Sequence, residues 1–219
     1  MSKLIVACVR TGTRYPFTYV ERLRNMVRRH LKVPHAFVCL TDQPERCEGV
    51  TFINRADLGL PGWWLKMALF EKRWREGSHV IFFDLDTVIV GDLAPLAQIA
   101  AEPRFAISKN FTRLSGNLSW PCKYASSVLT IGPGFREDVW VQFQAQRHMM
   151  EKFERYGDQR VIEELDPNAT LLQDVLPEGY FCGYREITNC APKRAAVVTF
   201  GGSNKPHNCP VPWVQKAWA

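Results

Sequence analysis

Leu4-Ile5-Val6-Ala7-Cys8-Val9 carries no charged or strongly hydrogen-bonding side chain on either face of the strand its length allows. Side chains of an extended backbone alternate between two faces, so a run that is apolar throughout is buried on both. Sheets covered on both faces are built mainly of parallel strands, with helices packed above and below. The next residues agree. Val20, Leu23, Val27 and Leu31 recur at helical spacing, Pro34 ends that helix, and Ala36-Phe37-Val38-Cys39-Leu40 is a second apolar run. A strand–helix–strand unit in one sheet pairs its strands in parallel. The expected class is therefore α/β, with a mainly parallel central sheet flanked by helices.

The remaining pattern extends this plan. A short strand is expected at 51–53. Pro61-Gly62 precedes a helix presenting Trp63, Met67, Phe70 and Trp74 on one face, which leaves Trp64 pointing elsewhere, and Gly77-Ser78 ends it. Residues 80–90 read as one apolar strand, and Asp92 as the cap of a following helix. Further strands are expected at 105–108, 126–131 and 196–200, with a loop over 109–123 that holds Gly116, Asn117 and Pro121. A long helix is expected over 135–153, with Phe135, Val139, Phe143 and Met150 inward. A short one opens at Gly157-Asp158-Gln159 and runs to Leu165. No repeat, low-complexity segment or linker divides the 219 residues, so they are expected to form a single domain.

The chemistry concentrates at Phe83-Asp84-Leu85-Asp86-Thr87. Period two puts Asp84 and Asp86 on one side, with Leu85 turned back into the protein. Two carboxylates at the tip of a buried strand repel unless a cation lies between them. Hard oxygen ligands suit Mg²⁺ or Mn²⁺, which keep positions open for water and substrate phosphates. The same five residues also match the first motif of haloacid-dehalogenase-like phosphatases, in which Asp84 would be a phosphorylated nucleophile. Against that, a complete strand–helix–strand unit precedes the motif, no later acidic motif sits on a strand end, and the Gly-rich segment before Lys205 has no role.

Charge and cysteines bound the partners. Lys and Arg number 28 against 22 Asp and Glu, a net charge of +6, which favours anionic partners such as nucleotide phosphates or lipid headgroups. Arg22, Arg24, Arg28, Arg29 and Lys32 share one segment but lack interleaved aromatics, so a solvated helix face is expected and no nucleic-acid role. Seven cysteines without a CxxC spacing, and two of them inside strands, favour a reduced, cytoplasmic setting over a disulfide framework. Val211-Pro212-Trp213, Lys216 and Trp218 would suit weak peripheral contact with the inner membrane face, or else a C-terminus packed on the domain.

Asp84-Leu85-Asp86 after an apolar strand resembles the DxD motif of GT-A glycosyltransferases, in particular the glycogenin-like and lipopolysaccharide-galactosyltransferase-like group. The order of other features, from Leu4 to His207, is also similar. A Tyr-bearing loop follows the first strand, then come Gly62-Trp63-Trp64-Leu65-Lys66, Ser126-Ser127-Val128, Gly157-Asp158-Gln159 and Phe200-Gly201-Gly202-Ser203-Asn204-Lys205-Pro206.

That resemblance implies a single Rossmann-like GT-A domain, with residues 1–100 as the nucleotide-binding half and 101–219 shaping donor sugar and acceptor. The activity implied is metal-dependent sugar transfer from a nucleotide-diphosphosugar to a glycan or lipid-linked acceptor. Asp84 would contact ribose or metal, and Asp86 would ligate the metal. Thr11, Arg14 and Tyr15 would hold the nucleoside, and Lys205, with Gly202 before it, the diphosphate. Ser126, Ser127 and Lys66 would approach the donor, and Asp158 and Gln159 would face sugar and acceptor as the catalytic pair. Where that group has a third, histidine metal ligand this chain has Thr199 and Gly201. His207 is then the remaining candidate, and a domain that binds nucleotide sugar without catalysis is the alternative.

Overall fold

The computed structural model describes residues 3–110 and 121–219; the loop positions Gly116 and Asn117 lie outside them. β1 (Leu4–Arg10), β2 (Ala36–Thr41), β3 (Thr51–Asn54) and β4 (His79–Phe83) form the parallel part of a seven-stranded sheet. β6 (Phe105–Lys109), β7 (Tyr124–Ile131) and β8 (Thr170–Leu171) complete it, in the order β3-β2-β1-β4-β7-β6-β8. β7 pairs antiparallel with both β4 and β6 and is the one reversed strand.

The apolar runs are buried on both faces, as their composition requires. Leu4, Val6 and Cys8 of β1 face one core, with Val20, Leu23, Met26 and Val27 of α1 (Thr18–His30). Ile5 and Ala7 face the other, with Leu65, Met67, Leu69 and Phe70. α2 (Ala94–Ala101) covers the first face, and the Asp92 carboxylate accepts the Ala94 N–H at 3.0 Å, which satisfies one of the helix's free amides. On the second face lie α3 (Glu137–Ala145), α4 (Met149–Lys152) and α5 (Asp158–Leu165). The chain ends with the short α6 (Leu172–Val175) and α7 (Pro212–Trp218).

Several elements differ from expectation. Residues 80–90 are not one strand. The backbone turns after Phe83, the Thr87 N–H reaching the Asp84 carbonyl at 3.1 Å, and β5 (Val88–Ile89) enters a second sheet in the order β5-β10-β9. Its partners are β9 (Phe181–Gly183) and β10 (Val197–Thr199). The expected helix after Pro61 is two 3₁₀ segments, Gly62–Phe70 and Lys72–Trp74. At three residues per turn its phase differs from an α-helix, so Trp64 is buried and Trp63 is exposed, the reverse of the 3.6-period reading. The helix expected over 135–153 breaks after Ala145, and Met149 rather than Met150 is buried.

Gly132 permits one close approach. A Cβ there would lie 1.9 Å from the Glu102 carbonyl oxygen, where β7 passes the loop that feeds β6. Among the described residues no disulfide forms, and no helix is long and apolar enough to cross a membrane. Trp218 is buried under the Arg22 guanidinium, which stands 3.8 Å from its ring, and Trp213 Nε1 donates to the Thr188 carbonyl. These contacts are those of a C-terminus packed on the domain: α7 packs on α1, and Trp213 and Trp218 are engaged by it. Arg24 and Arg29, from the basic segment, donate to the carbonyls of Glu48 and of Ala217 and Ala219.

Candidate active site

In an open α/β sheet, ligands bind beyond the carboxyl ends of the strands where the order reverses. Here β2 and β3 lie on one side of β1 and β4 on the other, so the reversal falls between β1 and β4. The loops after these two strands carry Thr11, Arg14 and Tyr15, and Asp84 and Asp86. They open into a cleft of about 810 Å³. Lys66, Ser126, Ser127, Asp158 and Gln159 line it, as do Gly202 and Lys205.

The turn after β4 aims the carboxylates. Leu85 is buried in the core, while Asp84 and Asp86 both face the cleft. Each has its own cation. Lys66 Nζ lies 2.8 Å from Asp84 Oδ1, 3.1 Å from Ser126 Oγ and 3.8 Å from Asp158 Oδ2. Lys205 Nζ lies 2.5 Å from Asp86 Oδ2, to which Tyr15 Oη also donates at 3.0 Å. The site thus has two poles, Lys66–Asp84–Asp158 and Tyr15–Asp86–Lys205.

Local structure holds each pole. The Thr11 hydroxyl donates to the Gly62 carbonyl at 3.0 Å, and Gly12 N–H donates to the Asp42 carboxylate. Arg10 Nε donates to the Tyr15 carbonyl, which aims the phenol at Asp86. On the far side, Asn208 Oδ1 accepts the Lys205 N–H, and Gln215 Nε2 of α7 donates to the carbonyls of Pro206 and Cys209. Asp158 opens α5, where the helix's unpaired N–H groups favour a carboxylate.

Burial shapes the proton affinities. It pushes the Asp84 carboxyl up to about 6, against the pull of Lys66 and with the help of Asp86 and Asp158. It raises Asp158 too, opposed by Lys66 and by hydrogen bonds from Ser126 and the start of α5. For Lys66, burial lowers the affinity for its proton, but Asp158, Asp84 and Asp86 together outweigh it, and the net shift is upward. Tyr15 is raised by burial and then by Asp86 and Asp84, so its phenol stays a donor. Asp158 Oδ2 is buried and accepts no hydrogen bond. A buried acceptor without a donor is costly unless a ligand supplies one.

His207 is not among the cleft residues. Its Nδ1 is bonded to the hydroxyl of Tyr19, a residue whose own hydroxyl is pushed to about 12 by burial and by Asp86. Among the described residues no group of three or more His, Cys, Asp or Glu is arranged to hold a metal ion. Sequence reasoning missed Trp63, Arg155, Tyr184 and Arg185, which also line the cleft. Trp63 was hidden by the 3₁₀ phase. Tyr184 and Arg185 follow the three-residue β9, too short to give a periodic signal.

No family model matches this chain, and no curated protein matches it by sequence. Solved structures match by fold. A crystal structure of an active-site mutant of LgtC superposes with a TM-score of 0.69 at 13% identity, over 97% of this chain and 93% of that one. Galactosyltransferase LgtC in complex with donor and acceptor sugar analogs superposes with a TM-score of 0.63 at 12% identity, with the same coverage. The glycosyltransferase GlyE of Streptococcus pneumoniae TIGR4 gives 0.67 at 13% identity, over 100% of this chain and 60% of that one. The fold is thus that of GT-A glycosyltransferases.

Proposed function

We propose that this chain is a glycosyltransferase that moves a sugar from a nucleotide-diphosphosugar to a hydroxyl of a glycan or lipid-linked acceptor, with Mn²⁺ or Mg²⁺ as cofactor. The observation that carries the reading is the pair of carboxylate–ammonium poles, set at the strand-order reversal of a sheet that glycosyltransferases share.

The donor set fits a divalent cation. Asp84 Oδ2 and Asp86 Oδ1 receive no hydrogen bond from the described residues, so each carboxylate keeps one hard oxygen available to a cation. Two protein ligands suffice for an ion that retains water and takes phosphate oxygens from its substrate. Such an ion supplies Lewis-acid stabilisation of a departing diphosphate.

The protein's own groups divide the rest of the work. Lys205 stands beside Asp86 on a Gly-rich turn and is suited to follow the diphosphate's charge. The Tyr15 hydroxyl orients Asp86. Lys66 keeps Asp84 and Asp158 at a fixed separation, and Ser126 completes its bonding. Asp158 Oδ2, lacking a donor, is suited to accept a sugar or acceptor hydroxyl, and its raised proton affinity favours taking that proton. Gln159 follows it at the start of α5 and faces the same cleft.

A panel of nucleotide sugars with Mn²⁺ tests the reading by donor hydrolysis and thermal stabilisation. A bound donor at one hundred times its Kd raises stability by about 2.7 kcal/mol. Stabilisation without hydrolysis or transfer would favour the non-catalytic alternative. Rapid turnover of an aryl phosphate, lost in Asp84→Asn, would favour the phosphatase and sink the proposal.

A further inference from the structure

Trp63 has no part in the chemistry above, yet its indole lines the cleft and is 41% exposed. It is the most exposed large aromatic among the described residues. An indole left in water inside a cleft is apolar surface that a ligand can cover.

Its position is set by the chain around it. Gly62, at φ +57°, turns into the 3₁₀ segment, and its carbonyl is held by Thr11. The pyrrole edge lies against Gly157. A Cβ at 157 would stand 3.0 Å from Trp63 Nε1 and 3.2 Å from Cδ1, and the φ of +71° independently favours glycine there. In a 3₁₀ helix residues i and i+3 eclipse with about 2 Å of rise each, so Trp63 stands in line with Lys66, about 6 Å along the axis. It therefore sits next to the Lys66–Asp158 pole. Tyr15 and Lys205 belong to the Asp86 pole.

We infer that Trp63 is the stacking platform of the acceptor subsite, and that the acceptor is a pyranoside whose C–H face lies on the indole with its reacting hydroxyl towards Asp158. This rests on the glycosyltransferase reading. A sugar ring fits because it offers an apolar face to the indole and hydroxyls to the polar groups beside it, Asp158 and Gln159. A nucleobase would also stack, but the groups suited to a diphosphate lie at the other pole.

The test compares wild type with Trp63→Ala and Trp63→Phe, using methyl β-galactoside and methyl β-glucoside as acceptor probes. The first readout is the ratio of sugar transferred to the probe over sugar released to water. The second is calorimetric affinity for the nucleoside diphosphate. The ratio is expected to fall about tenfold in Trp63→Ala and to recover largely in Trp63→Phe, with nucleoside diphosphate affinity held within about twofold. An unchanged ratio overturns the inference, and so does a wild type that hydrolyses donor but transfers to neither glycoside. Loss of nucleotide affinity in Trp63→Ala reassigns the indole to the base and overturns it as well. A wild type that hydrolyses no donor refutes the transferase reading itself. The platform then stands only if both glycosides quench tryptophan fluorescence in wild type and not in Trp63→Ala.

Discussion

Replacing Lys66 with methionine keeps most of the side chain's apolar stem and removes its charged end. The ammonium is largely buried, 2.8 Å from Asp84 and 3.8 Å from Asp158. At an effective dielectric of about 20 these separations correspond to gross attractions of about 6 and 4 kcal/mol. Desolvation of the ammonium cancels part of this, and breaking a buried pair typically costs a net 3–5 kcal/mol, because uncompensated charge stays behind. That is a large share of the 5–15 kcal/mol stability of an ordinary domain. The cost should depend on pH. Asp84 lies at about 6 with Lys66 beside it, above its unfolded value of 3.8. Losing Lys66 removes the main influence that holds both Asp84 and Asp158 down, so their affinities rise further. A carboxyl raised in the folded state costs nothing below its unfolded value, and its cost grows as pH climbs to the folded value. Urea unfolding of wild type and Lys66→Met in EDTA, at pH 5 and pH 8, measures the difference. The expected destabilisation is about 3–5 kcal/mol at pH 8 and clearly smaller at pH 5. A loss below about 1 kcal/mol at pH 8, the scale of a surface pair, or one equal at both pH values, would refute the reasoning.

Asp86→Ala should abolish Mn²⁺-dependent binding of a nucleoside diphosphate while the thermal transition persists; unchanged metal-dependent affinity by calorimetry would remove Asp86 from the ligand set. Lys205→Ala should weaken donor binding as well as turnover, because the diphosphate is charged before and after transfer. Asp158→Asn should leave nucleoside diphosphate affinity nearly intact and lower turnover by about 10²-fold or more, the scale of a lost general base. If Asp158→Asn instead loses affinity as Lys205→Ala does, or loses nothing, its carboxylate is a helix-start contact and not a catalytic group. Gly132→Ala should cost about 3 kcal/mol or more in chemical denaturation, since its Cβ meets backbone and not a yielding side chain.

The doubly buried parallel strands were legible in the sequence because a run that is apolar on both faces requires cover on both, whereas the reversal of β7 was not. Leu4-Ile5-Val6-Ala7-Cys8-Val9 and Ala36-Phe37-Val38-Cys39-Leu40 can satisfy their side chains only in a covered parallel sheet, and they form β1 and β2 in register. Asp84, Asp86, Lys66, Asp158 and Lys205 were legible as candidate site residues, because polar residues bordering apolar strands and Gly-rich turns require a reason. Their pairing was not. That Lys66 serves Asp84 and Asp158 while Lys205 serves Asp86 follows from where β4, β7, α5 and β10 meet, a matter of long-range contacts. Short elements were illegible for a related reason. β5 and β9 are two and three residues long, below the length at which a period can be counted, and they exist because each finds β10 across the fold, β10 itself lying inside the apolar run 196–200. Trp63 and Trp64 mark the limit most clearly. Their identities gave no sign of which was buried, and a change from 3.6 to three residues per turn, imposed by packing after Gly62, exchanged the core residue with the one that faces the cleft.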